Sequence, residues 1–134
     1  MTELSLCMIV KNEEERLARC LSSVQGAVDE IIILDTGSTD GTKDVASRFT
    51  QRVYDYAWDD DFSAARNASF AYATRPFILW LDADDVIEPE DRAKFLEFKQ
   101  HMPDADMIMM PYHTAFDQNG RPVFTCYRER LMRR

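Results

Sequence analysis

Three short apolar runs constrain what this chain can fold into: "LSLCMIV" (Leu4 to Val10), "EIIIL" (Glu30 to Leu34) and "FILWL" (Phe77 to Leu81). Each is far too short to span a membrane as a helix. Each is also continuous rather than alternating, so as a strand it has no face to give to water. Such strands belong to a parallel sheet covered on both sides, whose neighbours are joined by crossovers, usually helices. The intervening segments supply them. Leu17, Cys20, Leu21 and Val24 recur at helical spacing, with Asn12 as an N-cap, Glu13 to Glu15 in the first turn and Gly26 as the stop. Asp40 caps a short second helix through Val45 and Phe49, and Arg52 to Tyr56 is a weaker strand. Asp61 to Thr74 reads as a helix with Phe62, Ala65, Ser69 and Tyr72 on one side. Pro89 opens another, through Phe95 and Phe98 to about His101. Met107 to Met110 and Val123 to Tyr127 read as strands separated by the turn "DQNG".

The order β-α-β-α-β-α-β-α-β-β predicts an α/β layered sheet with a parallel core, helices on both faces and antiparallel strands near the C-terminal end. At 134 residues it is one domain. The net charge of −8 argues against nucleic acid or an anionic membrane surface as partner. A phosphate ligand would need a cation to help hold it. Cys7, Cys20 and Cys126 form no CxxC pair and read as reduced thiols. With no signal-peptide flank and no membrane segment, the expected location is cytoplasmic, with membrane association only through parts of a longer parent chain.

In parallel sheets of this kind ligands bind beyond the carboxyl ends of the strands. Three polar clusters fall there: "KNEE", "DTGSTDGT" and "DADD". If "DADD" stays extended, Asp82 and Asp84 point to one side about 6–7 Å apart. One carboxylate then ligates a small ion directly and the other acts through water or a sugar hydroxyl. Mn²⁺ or Mg²⁺ shared with a diphosphate suits that arrangement. A solvated turn with Asp85 capping the next helix is the alternative. In "DTGSTDGT", two glycines permit close backbone approach, and Asp35 can accept hydrogen bonds from a ribose or a base N–H. The stretch is neither a P-loop nor a GxGxxG fingerprint. Arg66, within the small-residue stretch "DFSAARNAS", can meet a nucleotide, hold the aspartates or make a structural ion pair.

The stretches "SLCMIVKNEEERLARCLSSV", "VDEIIILDTGSTDGT", "DFSAARNAS" and "ILWLDADDVIEPED", in this order and spacing, resemble the family 2 glycosyltransferases, nucleotide-sugar enzymes of the GT-A fold, and among them a bacterial subgroup. The resemblance runs from Ser5 to about Asp91. It implies that Val10, Asn12 and Glu13 line the nucleoside pocket, with Gly37 beside it. It further implies that Asp35 contacts base or ribose and that Arg66 closes the pocket. Asp82 would approach ribose or metal, Asp84 would be the principal metal ligand, and Asp85 is a third candidate where the family motif varies. The first, second and fourth strands would be neighbours.

The implied reaction moves a sugar from a nucleoside-diphosphate sugar, UDP by preference, to a saccharide, lipid or protein acceptor, with inversion. The general base it needs belongs to an acceptor segment expected beyond Arg134. Within the chain Asp117 and Glu129 lie in the right half but match no motif, and the arginines of "CYRERLMRR" read as a solvated strand end. Two other readings compete. A nucleotidyltransferase would carry a glycine-rich basic loop after the first strand, where "VKNEEER" is acidic. A non-catalytic nucleotide-sugar-binding or interaction module would show the same missing base.

Overall fold

In the computed structural model, which describes residues 1–134, the apolar runs become β1 (Leu4–Val10), β2 (Glu30–Asp35) and, after the short β3 (Val53–Asp55), β4 (Phe77–Trp80). The crossovers are α1 (Leu17–Val24), α2 (Thr42–Ser47) and α3 (Phe62–Ala71), and α4 (Pro89–Gln100) follows β4. A long hairpin, β5 (Met107–Phe116) and β6 (Pro122–Arg133), completes a six-stranded sheet in the order β3-β2-β1-β4-β6-β5. The first four strands are parallel and β6 joins β4 antiparallel. β1, β2 and β4 are neighbours, as the resemblance implies.

The continuous runs are continuous because both faces are covered. Leu4, Leu6, Met8 and Val10 pack with Leu17, Leu21, Val45 and Phe95 on the side of α1, α2 and α4. Cys7, Ile32 and Ile78 face the other way, towards Phe70 at the end of α3. Truncating one of these leucines to alanine costs about 2–5 kcal/mol, enough to threaten a domain of ordinary stability. α3 departs from its expected stripe. Ala65 and Ser69 are buried, but Phe62 at one end and Tyr72 at the other are exposed, Tyr72 stacking on Tyr54. Small residues let this helix lie close to the sheet, leaving its larger side chains beyond the edge.

α1 starts later than the local signals suggest. Asn12 is not its cap: it adopts φ 53°, a conformation Asn tolerates, and its Oδ1 accepts the Thr39 amide at 2.8 Å. A turn intervenes, and Arg16 occupies the cap position without a side-chain bond. Gly26 does end the helix, at φ 84°. The hairpin strands also run well past their expected limits, with Phe116, Val123, Phe124 and Tyr127 exposed. No helix is long and apolar enough to cross a membrane.

All three cysteines are free thiols. Burial pushes Cys7 and Cys20 up to about 12, Cys20 further opposed by the neighbouring aspartates. A thiol-selective maleimide at neutral pH should therefore label native protein once, at the partly exposed Cys126. Mass spectrometry showing rapid labelling of Cys7 or Cys20 would contradict this burial.

Candidate functional site

Register brings the polar clusters together. Val10 pairs with Asp35 across β1 and β2, and Cys7 pairs with Trp80, so the chain leaves β4 where β1 is ending. The loops after β1 and β2 are then laced to each other. The Asn12 amide donates to Ser38 Oγ, the Glu13 amide to Thr42 Oγ1 at 2.8 Å, and the Gly41 amide to the Glu14 carboxylate. A Cβ at Gly41 would stand 2.9 Å from that carboxylate, so a larger residue there would push the Glu14 side chain aside. Asp40 takes the Thr42 amide at 3.0 Å but is not the expected cap, since the cap position of α2 is Gly41, one residue later.

Asp35 is 2% exposed. Its Oδ1 accepts the amides of Gly37 and Ser38 at 3.0 and 2.9 Å, which shapes the loop. Gly37 sits at φ 111°, where other residues are strained. Asp35 Oδ2 is buried with no partner. Unsatisfied buried acceptors are rare in native proteins and call for a specific explanation.

"DADD" does not stay extended. The Asp85 amide donates to the Asp82 carbonyl at 3.0 Å, and the Asp82 amide donates to Asp85 Oδ2 at 2.8 Å. This reciprocal pair closes a turn that brings a carboxylate oxygen from each of Asp82, Asp84 and Asp85 within 4.8 Å of the others. Asp85 caps this turn rather than α4, whose cap position is Glu88. Its Oδ2 also meets Arg130 Nη1 at 3.0 Å in a pair only 6–7% exposed on either side. Arg130 is thus a buried partner of the acidic turn and not a solvated strand end.

Arg66 Cζ lies 3.9 Å from the Trp80 ring centroid and Arg130 Cζ 4.1 Å from it. Two guanidiniums that close to one centroid occupy its opposite faces. Arg66 is half-buried, with its basicity lowered by that burial while Asp82 pulls the other way. Its guanidinium makes no side-chain hydrogen bond or ion pair, so stacking fixes it in place with its donors free.

Partial desolvation of the Asp82 carboxyl by the protein around it, with Asp85 beside it, raises its pKa above the ordinary value, Arg130 and Arg66 opposing. In the metal-free protein the folded state therefore holds this proton better, and the group favours folding as pH falls. A cation reverses the preference, because it competes with the proton. Metal affinity should fall with pH, beginning above the range of an ordinary aspartate. Mn²⁺ titrations across pH should show this slope flattened in Asp82→Asn, and a flat wild-type profile would contradict it.

A cleft of about 310 Å³ lies at this edge, walled by Val10 at the end of β1, Lys11 and Glu13 after it, Thr36 after β2, Trp58 before α3, Phe62 at its start, and Asp82 to Asp84. Asp35, Asp85 and Arg66 are not among its lining residues, and neither are Asn12 and Gly37, which serve the loops. Asp117 holds the hairpin turn, accepting the amides of Asn119 and Arg121. The Glu129 carboxylate favours the charged form of Arg66. Lys11, Thr36, Trp58, Phe62 and Arg130 join the candidates only in three dimensions. The one sequence signal for the aromatics was their place in "YAWDDDF", on the ligand edge between a strand and a helix.

The sheet order and the acidic turn at its carboxyl edge define a GT-A glycosyltransferase domain. The chain belongs to glycosyl transferase family 2, whose family model matches residues 5–132. It is 53% identical over 87 residues to a TPR repeat-containing protein of Synechococcus elongatus, covering 65% of this chain and 22% of that one. It is 37% identical over 109 residues to the SPbeta prophage-derived glycosyltransferase SunS of Bacillus subtilis, covering 78% and 26%. The glucosyl-3-phosphoglycerate synthase of Mycobacterium tuberculosis, solved with Mg²⁺ and UDP, superposes with a TM-score of 0.56 at 25% identity over 63% of this chain and 34% of that one. The same protein has been solved with Mn²⁺ and UDP-glucose. The chain spans about a quarter of the length of each of these two relatives.

Proposed function

We propose that this chain is the donor-binding domain of a glycosyltransferase that uses a nucleoside-diphosphate sugar, UDP-sugar by preference, and an acceptor hydroxyl on a saccharide, lipid or protein. The observation that carries the reading is the turn holding three carboxylates within 4.8 Å at the rim of the cleft. That all-oxygen donor set fits Mn²⁺ or Mg²⁺, the ions in the M. tuberculosis protein's UDP and UDP-glucose complexes. Asp84 and Asp82 would hold the ion, with Asp85 completing the cluster from behind. When bound, the ion supplies Lewis-acid stabilisation to a departing diphosphate.

The chain's own residues supply the rest. Val10 gives the nucleoside an apolar wall, Glu13 and Thr36 border it, and Asp35 Oδ2 offers an acceptor to base or ribose. Arg66 presents free donors beside Asp82 to the anionic part of the donor. In the reaction the acceptor oxygen bonds to the anomeric carbon as the bond to the diphosphate breaks, with inversion, and a base takes the acceptor proton. That base must stand within about 2.6–3.2 Å of the hydroxyl or one water away. Asp117 is committed to its turn and Glu129 lends its charge to Arg66, so the reading puts the base in an acceptor segment beyond Arg134.

Calorimetry against a panel of nucleoside diphosphates, with and without Mn²⁺, tests the reading. Asp35→Ala should weaken uridine nucleotides even in saturating Mn²⁺, since a hydrogen bond to a charged group is worth about 1.5–3 kcal/mol, or about one to two decades in affinity. An unchanged dissociation constant would leave Asp35 with only its role in the loop.

A further inference from the structure

Trp58 and Phe62 form the aromatic wall of the cleft, and neither is used by the chemistry above. Phe62 is 67% exposed although it opens a helix. Its ring meets Trp58 edge-on, 4.9 Å between centroids at 76°. The indole is fixed from its other end by Nε1 donating to Asp60 Oδ1 at 3.0 Å. The indole is thus half-buried and held from both sides, with part of it left facing the cleft.

Its neighbours say which part of a ligand it would meet. The Tyr56 amide, two residues before Trp58, donates to the Asp35 carbonyl at 2.8 Å. Trp58 is therefore tethered to the β2 end of the cleft, where Asp35 Oδ2 lacks a partner. The carboxylates lie at the β4 end. A flat apolar wall near an unsatisfied buried acceptor matches a heterocycle, with a π face for the ring and a donor edge for the carboxylate. A sugar, next to the diphosphate, belongs nearer the acidic turn.

Resting on the donor reading above, we propose that Trp58, braced by Phe62, is the stacking platform for the nucleobase. Stacking of a base on an aromatic side chain is tolerant of base identity, so this wall supplies affinity and leaves selection among bases to polar groups.

The test is UMP and UDP binding by calorimetry, with tryptophan emission as a second readout. Trp58→Ala should lose about ten- to a hundredfold in affinity for UMP and UDP alike, the range of single base–aromatic stacks. Trp58→Phe, with a ring still in place, should stay within about threefold. Mn²⁺-pyrophosphate, which lacks a base, should bind wild type and Trp58→Ala equally. The chain has two tryptophans, and Trp80 lies against Arg66, so the emission change on UMP binding should shrink in Trp58→Phe while binding persists. Unchanged UMP affinity in folded Trp58→Ala overturns this inference alone. So does a loss seen with UDP-sugars but not UDP, which would assign the wall to the sugar. Wild type that binds Mn²⁺-pyrophosphate but no nucleotide overturns the donor reading as well.

Discussion

Replacing Asp84 with alanine should remove most of the advantage that Mn²⁺ gives to UDP binding. Wild type carries a net charge of −8 and adds a turn of three clustered carboxylates, so a free diphosphate is repelled until a cation intervenes. Asp84 is, with Asp82, one of the two exposed members of that turn, lines the cleft and has no protein partner to lose. Its removal should thus cost ion affinity without costing the fold. Even groups that only support a metal ligand typically change affinity about 10–100-fold when lost, so a direct ligand should cost at least that. Glu90→Ala is the control, an exposed acidic residue in the first turn of α4 outside the cleft. Calorimetric titration of UDP in Mn²⁺ and in EDTA reads the effect. Equal affinities of wild type in the two conditions would remove the metal from the proposed function.

What could be read from the sequence followed what is local. β1, β2 and β4 were legible because two-sided burial leaves an unbroken apolar run, and "DADD" stood out because it follows one of them directly. The start of α1 was not legible. Asn12 has the composition of a cap, but its conformation is set by Ser38 and Thr39, 26 and 27 residues away. The hairpin was under-read for the opposite reason: its outer residues are exposed on both strands, so no alternation marks their extent. The geometry of "DADD" depended on a bond between two of its own members, Asp82 and Asp85, that strand periodicity does not anticipate. Arg130 was hidden by topology. One residue along β6, Leu131 pairs with Leu79, and that long-range register carries Arg130 under the acidic turn.

That buried arginine carries the largest expected effect on stability. Asp85 and Arg130 are each more than nine-tenths buried, and their charges meet at 3.0 Å. Arg130 also donates to the Trp80 carbonyl at 3.2 Å, and Asp85 accepts the Asp82 amide. Removing one partner leaves the other charged and out of water, a loss of about 3–5 kcal/mol for buried pairs. Asp85→Ala and Arg130→Met should each lower the urea midpoint by that much free energy at unchanged slope. The double variant should lose much less than the sum, because no orphaned charge remains, and the cycle isolates the coupling. Single variants with a wild-type midpoint would show that the pair is not buried in solution. The same pair joins the two halves of the sheet: Arg130 comes from the antiparallel hairpin, and Asp85 closes the turn after the parallel core. Loss of Arg130, which lies outside the carboxylate cluster, should therefore weaken Mn²⁺ binding as well, through a loosened Asp82–Asp85 turn. Arg130→Lys, which keeps the charge but not the planar fork, should recover part of the stability and less of the ion affinity. The ordering of these two recoveries separates a charge that merely neutralises Asp85 from a guanidinium that sets the geometry of the turn.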